Sequence, residues 1–533
     1  MKILPAKIRV ILGALLLLPP ALSAKTIDLA TATIPELQHA YDDGLASEQV
    51  VKVYLQRIAA YDKVGPKLNA ILQLNPHALD EARALDAERR LHGPRSPLHG
   101  VPILIKDNID TADVTTTGGA RAFAGTAPPA DAFVIARLRA AGVIILAKTN
   151  LDEFAFGATG TSSLGGQTLN PYNLEKIPGG SSAGSAVGVA ALFGWAALGT
   201  ETGSSIRNPS AKADLVGFCP SAGLVSRRGV IPCSIVYDRV GPIARNVTDA
   251  ALFMSVMAGF DPGDLLSLQS LGHPVGDSYS AALNNASLKG ARIGVLRQLF
   301  GQREEDPPAI TLIDAAIATM RAQGATVIDP LPTDIDLWKV TQDVSGGHGD
   351  DTRDAFDYYL STRGPGFPYK TMAALAESGG ILERTKSKFL NYLKAPSLDA
   401  NGEYAANYRD RVALRQAITA LMDQHHLDAL ISPFQTKVAR TLAVEVPDGI
   451  ATGGVPDNRG VGRNNHLSTA TGLPTIVMPV GFNHDGVNVG LEFLGRQFDE
   501  ATLIRITHAF EQAAPHRQLP PTTPLLGIEQ LHY

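Results

Sequence analysis

Between residues 28 and 62, apolar side chains recur at roughly helical spacing: Leu29, Ile34, Leu37, Ala40, Tyr41, Val50, Val51, Val53, Tyr54 and Ile58, with polar residues between them. A stripe of that period buries one face of a helix, so the segment predicts helical structure packed on a core. Further on the pattern changes to short continuous apolar runs at 101–105, 143–147, 291–296 and 325–328. These are too short for helices and lack polar alternation, which fits strands covered on both faces. Helical stretches precede two of them, 132–141 (ending near Gly142) and 314–322. Buried strands alternating with helices predict an α/β architecture with helices covering a sheet.

Two stretches break this rhythm. Residues 157–206 are rich in Gly, Ser, Thr and Ala, and a flexible linker is one reading of them. Within that stretch, however, 186–197 is continuous, apolar and mostly small, which predicts a tightly packed buried helix rather than a solvated tether. Residues 345–410 carry Phe356, Tyr358, Tyr359, Phe367, Tyr369, Phe389, Tyr392, Tyr404 and Tyr408. Aromatics at such density line an apolar pocket or fill a plain core, and the pattern alone fits both.

The N-terminus reads differently from everything after it. Lys2, Lys7 and Arg9 precede an apolar run at 10–18, Pro19 and Pro20 break it, and small residues follow at Ala21, Ser23 and Ala24. Charged, apolar, then small is the layout of a secretory signal peptide over residues 1–24, leaving a mature domain at 25–533 and a periplasmic or secreted location. The competing reading is an uncleaved anchor, but the apolar run falls short of the roughly 20 residues a spanning helix needs. No later segment is long and apolar enough to span, so no stable membrane insertion is expected after the signal is removed.

Composition narrows the function. The chain has 533 residues, 45% hydrophobic and 19% charged, ample for a large core. Its net charge of -5 and the absence of a Lys/Arg block give no electrostatic case for nucleic-acid binding. Cys219 and Cys233 are the two cysteines; in an exported chain they form either a disulfide or two separate buried thiols. With no CxxC or HExxH motif, no metal is expected, and no organic cofactor is implied.

Three short segments carry candidate chemistry: PILIKDN at 102–108, GGSSAGSA at 179–186 and GTETGSSIR at 199–207. Lys106 ends an apolar strand, where burial would disfavour its ammonium and make it a base near neutral pH; an ordinary strand-end lysine is the bland alternative. Ser181 follows two glycines and opens an apolar helical run, which also fits an N-cap serine. Thr202, Gly203, Ser204 and Ser205 offer consecutive backbone N–H groups that can fold into a nest for a developing oxyanion, or into a plain polar turn. A fourth reading competes. Residues 180–184 satisfy G-x-S-x-G, the nucleophile elbow of α/β-hydrolases, with Ser182 as nucleophile and His466 or His508 recruited, but the residues before it make a poor strand.

Taken as an ordered set, these segments resemble the amidase-signature family. That family carries a PxxxKD-type strand, a GGSS(G/A)GS segment and a TD/ETGGSIR-type segment, and Ser181 and Ser205 stand at its usual separation. Further similarity runs through PLHGVP at 97–102, AKTNLDEF at 147–154, GQTLNPY at 166–172, DRVGP at 238–242, TGLP at 471–474 and GLEFLGRQF at 490–498. It covers 28–262 and 425–515, whereas 265–420 diverges. The resemblance implies one large α/β domain with a mixed sheet covered by helices. It implies hydrolysis of a carboxamide to carboxylate and ammonia or amine, with Ser205 as nucleophile. Ser181, after a cis peptide bond, would bridge Ser205 to Lys106, the base. The N–H groups of Thr202, Gly203, Ser204 and Ser205 would form the oxyanion hole. The substrate would be a small-molecule or peptide amide. The family also includes glutamine-hydrolysing amidotransferase subunits, against which the N-terminal signal argues. Three departures stand out: Ser204 where glycine is usual, Glu201 for the commoner Asp, and Cys219 for a frequent lysine.

Overall fold

The computed structural model describes residues 25–300, 307–345, 350–435, 439–442 and 466–533. Residues 1–24, where the signal peptide is expected, lie outside the described residues.

Eleven strands form one sheet: β1 (Ile71–Leu74), β2 (Pro102–Lys106), β3 (Ile144–Thr149), β4 (Ala197–Glu201), β5 (Val216–Cys219), β6 (Arg239–Ala244), β7 (Arg292–Val295), β8 (Thr326–Ile328), β9 (Ala429–Pro433), β10 (Thr475–Phe482) and β11 (Asn488–Leu494). Their order is β8-β7-β9-β11-β10-β5-β6-β4-β2-β3-β1. Parallel pairs lie toward the two ends, β7 with β8 and β9, and β2 with β3 and β4. From β9 through β11, β10, β5 and β6 to β4 every pairing is antiparallel, so the sheet is mixed. The expected runs at 101–105, 143–147, 291–296 and 325–328 are β2, β3, β7 and β8. All residues of β2 and β3 are buried, as continuous apolar runs require.

Two expectations are corrected. The stripe over 28–62 forms two helices, Ile34–Asp42 and Ser47–Tyr61, rather than one stretch. Gly44 separates them at φ +113°, a conformation L side chains rarely adopt. The strand Thr26–Asp28 precedes both and pairs with Gln530–His532, joining the two ends of the domain. The expected helix at 186–197 is Ala183–Ala190, entirely buried. After it Leu192 takes a left-handed φ of 58°, the Trp195 N–H donates to the Pro102 carbonyl at 2.9 Å, and Ala197 already opens β4. The stretch is thus packed core, and the linker reading fails.

Most of the aromatic stretch is also core. Phe356, Tyr359, Phe367 and Phe389 pack against Phe123, Phe154, Ile231 and Cys233 in one buried cluster. Some of its rings meet edge to face, Phe123–Phe367 at 4.8 Å and Phe154–Phe356 at 5.3 Å between centroids, and others stack, Phe154–Phe389 at 5.8 Å. Tyr358, by contrast, is 72% exposed. Cys219 and Cys233 are separate buried thiols and do not pair.

Candidate active site

Lys106 is the last residue of β2, an inner strand flanked by β3 and β4, and it is fully buried. Its Nζ lies 2.7 Å from Ser181 Oγ, 2.8 Å from Thr200 Oγ1 and 3.3 Å from the Thr200 carbonyl. Among the described residues no carboxylate pairs with it. Burial therefore pulls the amine down from its ordinary 10.5 to about 7, against the more distant Cys233, Asp152, Asp238 and Glu201, which pull the other way. A bland strand-end lysine would point to water; this one points into the protein.

Ser181 is placed by the glycines before it. The Gly180–Ser181 peptide is cis. A Cβ on Gly180 would run into Asp152 Oδ2, and one on Gly184 into the carbonyl of Ala70, so both positions require the bare backbone. The Ser181 carbonyl accepts from the Asp152 N–H at 3.1 Å, and Asp152 in turn is held by the N–H groups of Thr159 and Gly160 and by Arg384.

Ser205 lies in the turn between β4 and the helix Arg207–Lys212, half-buried where Lys106 and Ser181 are closed off. The main chain holds it beside them, its carbonyl accepting from the Ser182 N–H at 3.2 Å. No hydrogen bond joins its hydroxyl to that of Ser181 among the described residues. The structure thus brings Lys106 and Ser181 into direct contact and sets Ser205 alongside. Thr202, Gly203 and Ser204 are also half-buried. Among the described residues no hydrogen bond from the N–H groups of residues 202–205 is made outside helices and strands, so these donors are left unspent in a half-buried turn.

That turn is held from below. The Glu201 carboxylate accepts from the N–H groups of Ile206 (3.0 Å) and Arg207 (3.2 Å) and pairs with the Arg207 guanidinium at 2.7 Å. Arg207 also pairs with Glu492 of β11 at 2.6 Å, and Arg239 reaches Glu201 at 3.4 Å. Burial alone would raise the Glu201 carboxyl, yet the two arginines hold it below its ordinary value. Glu201 in place of Asp therefore keeps a full set of partners. From the side, the Thr202 hydroxyl donates to Asp238, whose other oxygen accepts from the N–H groups of Cys233 and Ser234. Burial pushes the Asp238 carboxyl up to about 6. Asp238 also lines a cavity of about 480 Å³ with Asp110, Arg228, Ile235, Tyr358 and Tyr359.

The elbow reading does not survive. No strand runs directly into Ser182, the residues from 168 to 181 holding only an isolated bridge at Lys176, and the buried Ser182 hydroxyl donates to the Thr200 carbonyl at 3.3 Å. His508 sits on the helix Glu500–Ala513, 3.6 Å from Glu511, and His466 precedes the helix Leu467–Thr471. Sequence reasoning missed Thr200, Asn108, Arg207, Asp238 and Glu492 as members of the site. All five lie inside segments that drew attention, Asp238 in DRVGP at 238–242 and Glu492 in GLEFLGRQF at 490–498, so their position was the available signal. Among the described residues no cluster of His, Cys, Asp and Glu could hold a metal ion, and no helix is long and apolar enough to cross a membrane.

The eleven-stranded mixed sheet under helices, with the buried Lys106 at a strand end and Ser181 just before a buried helix, is the framework of an amidohydrolase of the amidase-signature type. The chain belongs to the amidase family, whose profile matches residues 49–504. It is 34% identical to a glutamyl-tRNA(Gln) amidotransferase subunit from Ralstonia pickettii over 89% of this chain and 96% of that one. It is 37% identical to the corresponding protein of Chloroflexus aggregans, over 88% and 93%. Among solved structures, the native peptide amidase of Stenotrophomonas maltophilia superposes with a TM-score of 0.79 at 34% identity, covering 93% of this chain and 99% of that one.

Proposed function

We propose that the chain hydrolyses the C–N bond of a small-molecule or peptide carboxamide through an acyl-enzyme on Ser205. The observation that carries this reading is the 2.7 Å contact between Lys106 Nζ and Ser181 Oγ in a buried setting without a paired carboxylate. Ser205 Oγ attacks the carbonyl carbon and gives its proton to Ser181, which passes its own to Lys106. The free N–H groups of residues 202–205 receive the oxyanion. The proton returns through Ser181 to the leaving nitrogen as the C–N bond breaks, and water then hydrolyses the ester by the same relay. Similarity to a peptide amidase over nearly the whole chain supports a free-standing hydrolase.

Export to the periplasm or beyond belongs to this reading. It rests on the basic, apolar and small-residue order of residues 1–24. The second reading, a glutamine-hydrolysing component of an amidotransferase, is favoured by the names of the relatives from Ralstonia and Chloroflexus.

Fluorophosphonate labelling with mass-spectrometric site mapping tests the mechanism on wild type, Ser205→Ala, Ser182→Ala and Lys106→Ala. Adduct on Ser205, lost in Ser205→Ala and strongly slowed in Lys106→Ala, is expected; adduct on Ser182 would overturn the assignment. Release of ammonia from peptide amides by the purified chain alone is expected. Glutamine hydrolysis appearing only with added amidotransferase subunits would favour the second reading. N-terminal sequencing of the cell-envelope fraction checks the signal, with a start at Ala24 or Lys25 expected and an intact Met1 counting against it.

A further inference from the structure

When Lys106 accepts a proton it becomes an ammonium with three N–H groups and no acceptor of its own. Three oxygens stand within reach of Nζ: Ser181 Oγ, Thr200 Oγ1 and the Thr200 carbonyl. Two of the three belong to one residue. The carbonyl can only accept. The Thr200 hydroxyl has two lone pairs, and Asn108 Nδ2, a donor, lies 3.0 Å from it. With Asn108 on one lone pair, the other is turned to Nζ. Thr200 is 5% exposed and Asn108 1%, so water does not substitute for either. The Ser182 hydroxyl, which the elbow motif had singled out, donates to the same Thr200 carbonyl and fixes the third oxygen.

We propose that Thr200, oriented by Asn108, is the positioning residue that receives the lysinium formed during acylation. It supplies two of the three acceptors that the transient cation needs. The proton balance is simple: the Ser181 O–H bond breaks as an N–H bond forms on Lys106, and Ser181 recovers a proton from Ser205. Thr200 and Asn108 exchange no proton with substrate; they act through Lys106. The inference rests on Lys106 being the base.

The test is the pH dependence of serine phosphonylation by a fluorophosphonate, in which Ser205 Oγ bonds to phosphorus as fluoride leaves and its proton passes to the same relay, from about pH 5 to 9, for purified wild type, Thr200→Val, Thr200→Ser, Asn108→Leu and the Thr200→Val/Asn108→Leu double variant. Removing an acceptor destabilises the ammonium more than the neutral amine. Thr200→Val is therefore expected to lower the plateau rate by about 10- to 100-fold and to move the acid limb to lower pH by about one unit. Thr200→Ser restores both. Asn108→Leu lowers the plateau about 3- to 10-fold and adds nothing in the Thr200→Val background. The other groups acting on Lys106, which are Cys233, Asp238, Asp152 and Glu201, are the same in every variant.

A limb that stays in place or moves upward in Thr200→Val, or losses that multiply in the double variant, would overturn the proposal. If Thr200→Val does not fold, the rate and limb of Asn108→Leu decide. Lys106→Ala in the same assay separates the two levels. Full labelling there removes the base reading itself, whereas a dead Lys106→Ala beside a wild-type-like Thr200→Val removes only the role of Thr200.

Discussion

Lys106 and Lys148 lie one register step apart on the adjacent parallel strands β2 and β3, where Ile105 pairs with Lys148 and Lys106 with Thr149. Both are fully buried, and burial lowers both amines. Their surroundings differ in one respect. Lys148 has a carboxylate at hand, Asp107 at 3.3 Å, and also reaches the Ile109 carbonyl at 2.8 Å and Thr116 Oγ1 at 2.7 Å. Lys106 has hydroxyls and a carbonyl instead. Lys148 with Asp107 is a clamp that closes the chain reversal after β2, where the Thr117 N–H also donates to Asp107. Lys106 is left with a proton affinity near neutrality. Burial is common to the two; the partner set separates a lysine clamped by a carboxylate from the one proposed as the base.

The comparison breaks most sharply if the two lysines are removed in turn. Lys106→Ala is expected to slow phosphonylation by the fluorophosphonate by about 100- to 10,000-fold while the chain still folds cooperatively, as read by labelling rate and thermal melt. Lys148→Met should do the opposite. It leaves Asp107 buried without its cation, which costs about 3–5 kcal/mol in denaturant unfolding, and the Asp107→Leu/Lys148→Met pair should recover much of that loss. A milder probe is pH. Only the neutral amine of Lys106 accepts a proton, and its value of about 7 lies below the ordinary one. Acylation should therefore be level above pH 7 and fall about tenfold per unit below it. Ser182→Ala is the smallest change. It removes one donor to the Thr200 carbonyl, so the rate should fall by less than about tenfold with the adduct still on Ser205.

How far the sequence carried this picture depends on the range of the interactions. The segments around Lys106, Ser181 and Ser205 are contiguous runs, so residue order alone marked them, and the short apolar runs located β2, β3, β7 and β8. The end of the helix Ala183–Ala190 escaped because residues 191–199 stay apolar whether they continue a buried helix or enter a buried strand. Gly44, by contrast, was a visible break inside the 28–62 stripe, and periodicity alone passed over it. The partners of Thr200 and Asn108 could not be read at all. Which lone pair faces which donor is settled only when strand ends from 106 and 200 meet.

The clamp under the oxyanion turn is completed across a long stretch of chain. Lys106, Ser181 and Ser205 have all left the ribosome well before Glu492, the carboxylate that pairs with Arg207. On the proposed reading, a growing polypeptide holds every reactive group of the site for most of its synthesis while the turn assigned to the oxyanion still lacks one of its anchors. If that reading holds, competence for acylation arrives late, with the last strand of the sheet, and a chain stopped short of β11 would carry the proposed residues without the pairing of Arg207 with Glu492.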